Sequence, residues 1–188
     1  IKPAAQGKAE YQDLFRAQNR IAVLMGSLMA KRLESSVAAF RSTLESLMAS
    51  NRNFRSALGV GFVPVGQTAT RLLAGGSFDP DEAMRILEME EKRRIAARES
   101  RAKLVHPAAD FDVDGWINDI DVDYAILSDI LQSMADIGPG DDDKLVSLQK
   151  FITGLPKDEK IVIFSEAETT VEYLFKNLNP GGKDQSIV

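Results

Sequence analysis

Cysteine is absent from these 188 residues, and histidine occurs once, at His106. The first absence excludes a disulfide frame, a thiolate metal site and a cysteine nucleophile, and the second leaves no histidine-based metal cluster to assemble. No N-terminal stretch has the pattern of a signal peptide, and no apolar run is long enough to span a bilayer. The expectation is a cytoplasmic chain with no membrane partner. A G-x-x-x-x-G-K-[ST] loop is missing too, so nothing in the sequence cradles a nucleotide's phosphates in the usual way.

Charge is present in quantity and unevenly placed. The net charge is -5, with 23 Lys and Arg against 28 Asp and Glu. Residues 1–105 hold 17 bases against 11 acids, or +6, whereas residues 106–188 hold 6 against 17, or -11. Such a split predicts oppositely charged faces that meet each other or separate partners.

Apolar spacing is mostly helical. Leu14, Ile21, Leu24 and Leu28 form one row, and Leu33, Val37, Phe40, Leu44 and Leu47 step by four and three. The step of five between Leu28 and Leu33 predicts a kink, or a change of helix, near Gly26–Met29. Gly59, Gly61, Pro64, Gly66, Gly75 and Gly76 give residues 59–78 a loop-like composition that resists regular structure. Asp79-Pro80-Asp81-Glu82 is a helix start, and the helix should run to about Leu104. Ile117, Ile120, Tyr124, Leu127, Leu131 and Met134 then mark the cleanest amphipathic helix, closed by Gly138-Pro139-Gly140. Asp141–Asp143 cap another, with Leu145, Leu148, Ile152 and Leu155 on one side.

The tail differs. Ile161–Phe164 is an unbroken apolar run, the pattern of a strand buried on both faces. Ser165 and Glu168 have capping-box spacing, Val171, Leu174, Phe175 and Leu178 follow on one helical face, and Asn179-Pro180-Gly181-Gly182 stops it. The expected fold is mainly α. A helical bundle fills residues 1–140, with the loop at about 59–78, and residues 141–188 open an incomplete RecA-like α/β domain with its first β-α unit. One strand cannot satisfy its own backbone, so the expectation is a piece of a longer protein, or self-association through strand 160–164.

Two blocks carry a resemblance. Asp143-Lys144-Leu145, the run Lys160-Ile-Val-Ile-Phe-Ser-Glu166 and the Glu172-Tyr173-Leu174 helix resemble the start of the second RecA-like lobe of superfamily-two helicases of the Swi/Snf type, where a strand ending in Phe-Ser is motif IV. Lys31-Arg-Leu-Glu-Ser-Ser-Val-Ala-Ala-Phe-Arg41 is similar to the helical block that bacterial helicases of this type carry between their lobes. The resemblance spans about residues 10–55 and 114–179. It implies part of an ATP-hydrolysing translocase acting on double-stranded DNA or DNA–protein complexes, with ATP and Mg in the parent and none in this piece. Its implied partners are DNA and the remaining helicase lobes.

The resemblance places Ser165 and Thr169 on the nucleic-acid side of the lobe, and the residues allow it: a hydroxyl and free amides at a positive helix end suit a phosphate. The competing reading of Ser165 is helix capping alone. Arg94, Arg98 and Arg101, on one face of the expected helix, are a second candidate for a phosphate backbone, against a solvated face paired to glutamates. Asp110-Phe-Asp-Val-Asp-Gly-Trp-Ile-Asn-Asp-Ile-Asp121 matches an EF-hand calcium loop up to its last position. Its candidate ligands are Asp110, Asp112, Asp114 and Asp121, and the alternative function is a non-enzymatic helical interaction module. The competing reading is a set of helix-capping aspartates. No catalytic residue is assigned. The purified chain is expected neither to bind ATP tightly nor to hydrolyse it; DNA-stimulated phosphate release above that of a Lys or Arg point variant would contradict this.

Overall fold

The computed structural model describes residues 12–156 and 159–182, with side chains from residue 24 onward. The chain is mainly helical, with one small antiparallel sheet. Its elements are α1 (Gln12–Ser35), α2 (Val37–Gly59), β1 (Phe62–Pro64), α3 (Gln67–Leu73), α4 (Pro80–Ala96), β2 (Val105–Pro107), a 3-10 turn (Ala108–Asp110), α5 (Val113–Ser133), α6 (Asp143–Thr153) and α7 (Glu168–Leu178). Two compact units emerge: one holds Glu45–Asp129, the other Val23–Leu44 and the described residues from Ile130 onward.

The Glu45–Asp129 unit is organised by β1, which pairs with β2 in the register Phe62↔Pro107, Val63↔His106 and Pro64↔Val105. All three β1 residues are buried. Successive residues of a strand point to opposite faces. Phe62 accordingly packs with Ala57, Ala69, Ala83, Leu87 and Leu104, while Val63 packs with Leu58, Ala108 and Phe111. Around the second cluster lie Phe54 and Trp116, with Trp116 4.9 Å from Phe111 and 5.7 Å from Phe54, ring centre to ring centre. Burying side chains such as Leu87 and Phe111 contributes about 1.5–3 kcal/mol each.

Residues 59–78 are therefore ordered rather than a featureless loop, which corrects the compositional expectation. The glycines do specific work at the strand's ends. Gly61, at φ 94°, turns the chain out of α2, and its carbonyl accepts from the Ala108 amide at 2.9 Å. Gly66, at φ 92°, precedes α3 in a left-handed conformation that side chains rarely adopt, and a Cβ there would lie 3.0 Å from a Leu104 methyl. Buried Asn53 donates to the carbonyls of Leu73 and Gly75, at 2.7 and 3.0 Å, and so ties the end of α3 to α2.

Helix α4 starts where its acids and proline place it: Asp79 accepts from the Asp81 and Glu82 amides at 2.9 and 3.1 Å. It ends eight residues before Leu104, at Ala96. Arg98 adopts φ 57°, the Glu99 amide returns to the Arg94 carbonyl at 2.9 Å, and the Arg98 amide reaches Ile95 at 3.1 Å. These two bonds form a Schellman stop with arginine in the left-handed position that glycine usually fills. Arg93 pins the stop by bridging Glu90 at 2.8 Å and Glu99 at 3.0 Å. Beyond it, Glu91 accepts from the Leu104 amide at 2.8 Å and guides the chain into β2.

In the other unit no change of helix falls at Gly26–Met29: α1 is unbroken there and continues to Ser35, and the joint falls at Ser36. Buried Ser36 caps α2 by accepting from the Ala39 amide at 3.0 Å. The expected row is only partly buried: Leu24, Leu28 and Leu33 are exposed, Leu44 is fully enclosed, and the Leu14 and Ile21 side chains lie outside the described residues. Arg41 holds the end of α5 by donating to the Met134 carbonyl at 2.7 Å. Helices α5, α6 and α7 form where the spacing puts them.

The expected strand at 160–164 does not form. Ile161–Phe164 joins no sheet among the described residues, because no second strand there offers it a ladder. Only the helix of the anticipated β-α unit is present.

Arginine pays a steric cost in the left-handed region that glycine avoids, partly offset by glycine's greater freedom in the unfolded chain. Arg98→Gly is expected to raise the stability of the Glu45–Asp129 unit by about 0.5–1 kcal/mol, measured by the urea midpoint at unchanged slope.

Candidate nucleic-acid interface

A groove of about 720 Å³ opens in the second unit. The end of α1 supplies Lys31, Arg32, Ser35 and Ser36; the start of α6 supplies Asp142 and Lys144; the approach to α7 supplies Phe164 and Ser165, and α7 itself Thr170 and Tyr173. Two hydroxyl bonds join its walls. Thr170 Oγ1 lies 2.8 Å from both Ser35 Oγ and Ser36 Oγ, and Lys144 Nζ donates to the Glu34 carbonyl. Residues more than 130 positions apart are thereby fixed side by side.

Asp142 performs two tasks with two oxygens. Oδ1 caps α6 by accepting from the Lys144 and Leu145 amides at 3.1 and 3.2 Å, and Oδ2 accepts from the Tyr173 hydroxyl at 3.1 Å. Burial pushes the Tyr173 phenol up to about 12; the Asp142 carboxylate and the hydrogen bond to it add to the shift, and Arg41 opposes it. The Asp142 carboxylate, with Glu34 and Glu166, puts negative charge in the groove, while exposed Lys31 and half-buried Arg32 put positive charge on the same rim.

Ser165 lies in this groove, but its bonding differs from the expected capping box. Its Oγ accepts from the Ala167 amide at 3.2 Å and faces the Ala167 carbonyl at 3.3 Å. The residue before α7 is Ala167, with no side-chain cap, so the spacing located the helix and misassigned its cap. Thr169 is half-buried in the first turn of α7, one position from the buried hydroxyl of Thr170.

The arginine candidates do not share a helical face. Arg94 lies in the last turn of α4, and Arg98 and Arg101 lie beyond it, both exposed. The Schellman stop separates them. The aspartates of 110–121 are not arranged as a loop either: Asp110 belongs to the 3-10 turn, and residues from Val113 onward are α5. Asp112 accepts from the Gly115 amide at 3.2 Å and caps that helix, and exposed Asp121 pairs with Arg55 at 3.1 Å. Among the described residues no three acidic or histidine side chains are grouped to hold a metal.

Sequence reasoning missed Lys144 as a rim cation and Thr170 as the hydroxyl node. The Asp142 cap was legible; its bond to Tyr173, 31 residues on, was not. No family model, curated protein or solved structure matches the chain.

Tyr173 gives this pair a pH signature. In the unfolded chain the phenol ionises near its ordinary value of 10, and in the fold only near 12. The contribution is whole below pH 10 and is lost as pH rises from 10 through 12. Urea midpoints of the wild type should therefore fall more steeply across that window than those of Tyr173→Phe; parallel slopes would contradict the assignment.

Proposed function

We propose that this chain is the DNA-contacting part of an ATP-dependent translocase of the Swi/Snf type, and that the groove between α1, α6 and α7 meets a phosphate backbone. One observation supports this reading above others. The two sequence blocks that resemble the family, Lys31–Arg41 and Asp143–Asn179, lie more than 100 residues apart in the chain, yet belong to one unit and line one groove. Lys31, Arg32 and Lys144 supply cations there, and Ser165 supplies a hydroxyl. These are the side chains that position a nucleic acid without reading its sequence.

ATP and Mg²⁺, which that activity requires, do not fit the described residues. The left-handed glycines Gly61 and Gly66 flank β1, and Gly66 lies against Leu104. No lysine and hydroxyl follow either one at phosphate-loop spacing. In this reading hydrolysis belongs to other parts of the translocase, and the present unit holds the track.

Labelled duplex DNA should bind weakly and with strong salt dependence, followed by fluorescence anisotropy. Three phosphate contacts correspond to a loss of about 40-fold in affinity between 50 and 200 mM salt. Lys31→Glu with Lys144→Glu should abolish binding, whereas Arg98→Glu with Arg101→Glu, on the loop after α4, should lower it less. Equal binding at both salt concentrations, or an undiminished groove variant, would overturn the proposal.

A further inference from the structure

The apolar run that found no strand partner has a regular pattern of exposure. Val162 and Phe164 are 73% and 90% exposed, whereas Ile161 and Ile163 are 42% and 41% exposed. This alternation is the signature of an extended backbone with one face toward its own chain and one toward solvent. Lys160 and Glu166 are both exposed and flank the run, Glu166 at the bend that leads into α7. The outward face is thus Val162 and Phe164, preceded by a cation and followed, at the bend, by an anion. Among the described residues nothing hydrogen-bonds to the backbone of Lys160–Phe164, so its amides and carbonyls form an open edge.

An open edge accepts another strand, and the end charges specify which. A parallel copy would set lysine beside lysine and glutamate beside glutamate. An antiparallel copy with Ile163 on the two-fold axis sets Lys160 opposite Glu166 of the partner subunit, twice, and Val162 opposite the partner's Phe164, twice. Residues directly opposite in an antiparallel ladder share a face, so both apolar pairs stand on the outward side, with the ion pairs at the two ends of the ladder. We propose that Lys160–Glu166 pairs in this way with the same segment of a second copy, and that this chain forms an isologous dimer through a two-stranded antiparallel ribbon.

The dimer does not depend on the DNA reading and is measured without DNA. Sedimentation velocity of the 188-residue chain should show a monomer–dimer equilibrium that shifts with concentration. Lys160→Glu and Glu166→Lys each place like charges opposite one another in both pairs, and each should weaken dimerisation tenfold or more. The double exchange Lys160→Glu with Glu166→Lys restores both pairs and should restore the dimer. Ile163→Lys puts two cations on the axis and should give a monomer with its helical circular dichroism intact. A wild-type monomer at every concentration overturns the proposal. So do single charge variants that dimerise like the wild type, and a double exchange that does not recover, which would reject the register.

Discussion

Strand β1 carries the Glu45–Asp129 unit, because its adjacent Phe62 and Val63 belong to the unit's two apolar clusters. A strand with both faces buried needs its ladder satisfied on at least one edge, and β2 provides that. Everything that positions β2 follows from this requirement. The α4 helix must stop before Leu104, since a helix continued through Val105 would withdraw the partner strand. The Schellman stop at Arg98, the Arg93 clamp and the Glu91 carboxylate on the Leu104 amide are successive parts of one return path. A costly left-handed arginine is tolerated where the surrounding bonds determine it.

What the sequence revealed of this fold depended on whether the signal was local. Asp79 and Asp142 cap helices because a carboxylate reaches amides two and three positions on, and such distances are visible in the sequence. The same holds for the start of α7 at Glu168 and its end before Asn179. The ribbon of β1 and β2 was not legible. Its strands are three residues each, too short for a period, and their pairing joins positions more than 40 residues apart. Glycines that suggested a loop were in fact the hinges of that ribbon. The stop of α4 was hidden because arginine carries no left-handed signature, so helical spacing ran on to Leu104.

Site legibility divides in the same manner. Ser165 stood out as a hydroxyl suited to a phosphate, and it lines one groove with the cations Lys31 and Arg32. Thr170 looked like an ordinary turn residue of α7, yet it is the node that brings the two blocks together through Ser35 and Ser36. The stretch that matches an EF-hand loop is built as a 3-10 turn and a helix start. Asp112 and Gly115 suit the first turn of a helix as well as a calcium loop, and the apolar face from Val113 through Ile117 and Ile120, packed on Phe111 and its neighbours, favours helix.

The second unit leaves a tension that links its groove to its edge. Phe164 and Ser165 are adjacent, and both line the groove, but Phe164 also ends the outward face of the extended segment. Ile161 and Ile163 are less exposed than Val162 and Phe164, so one side of the apolar run is the more sheltered. Water cannot cover the other side cheaply: Val162 and Phe164 each forgo about 1.5–3 kcal/mol of burial while exposed. Any strand that covers them must run along Lys160–Glu166 and therefore past the groove's rim. Phe164 thus belongs both to the groove lining and to the more exposed side of the segment.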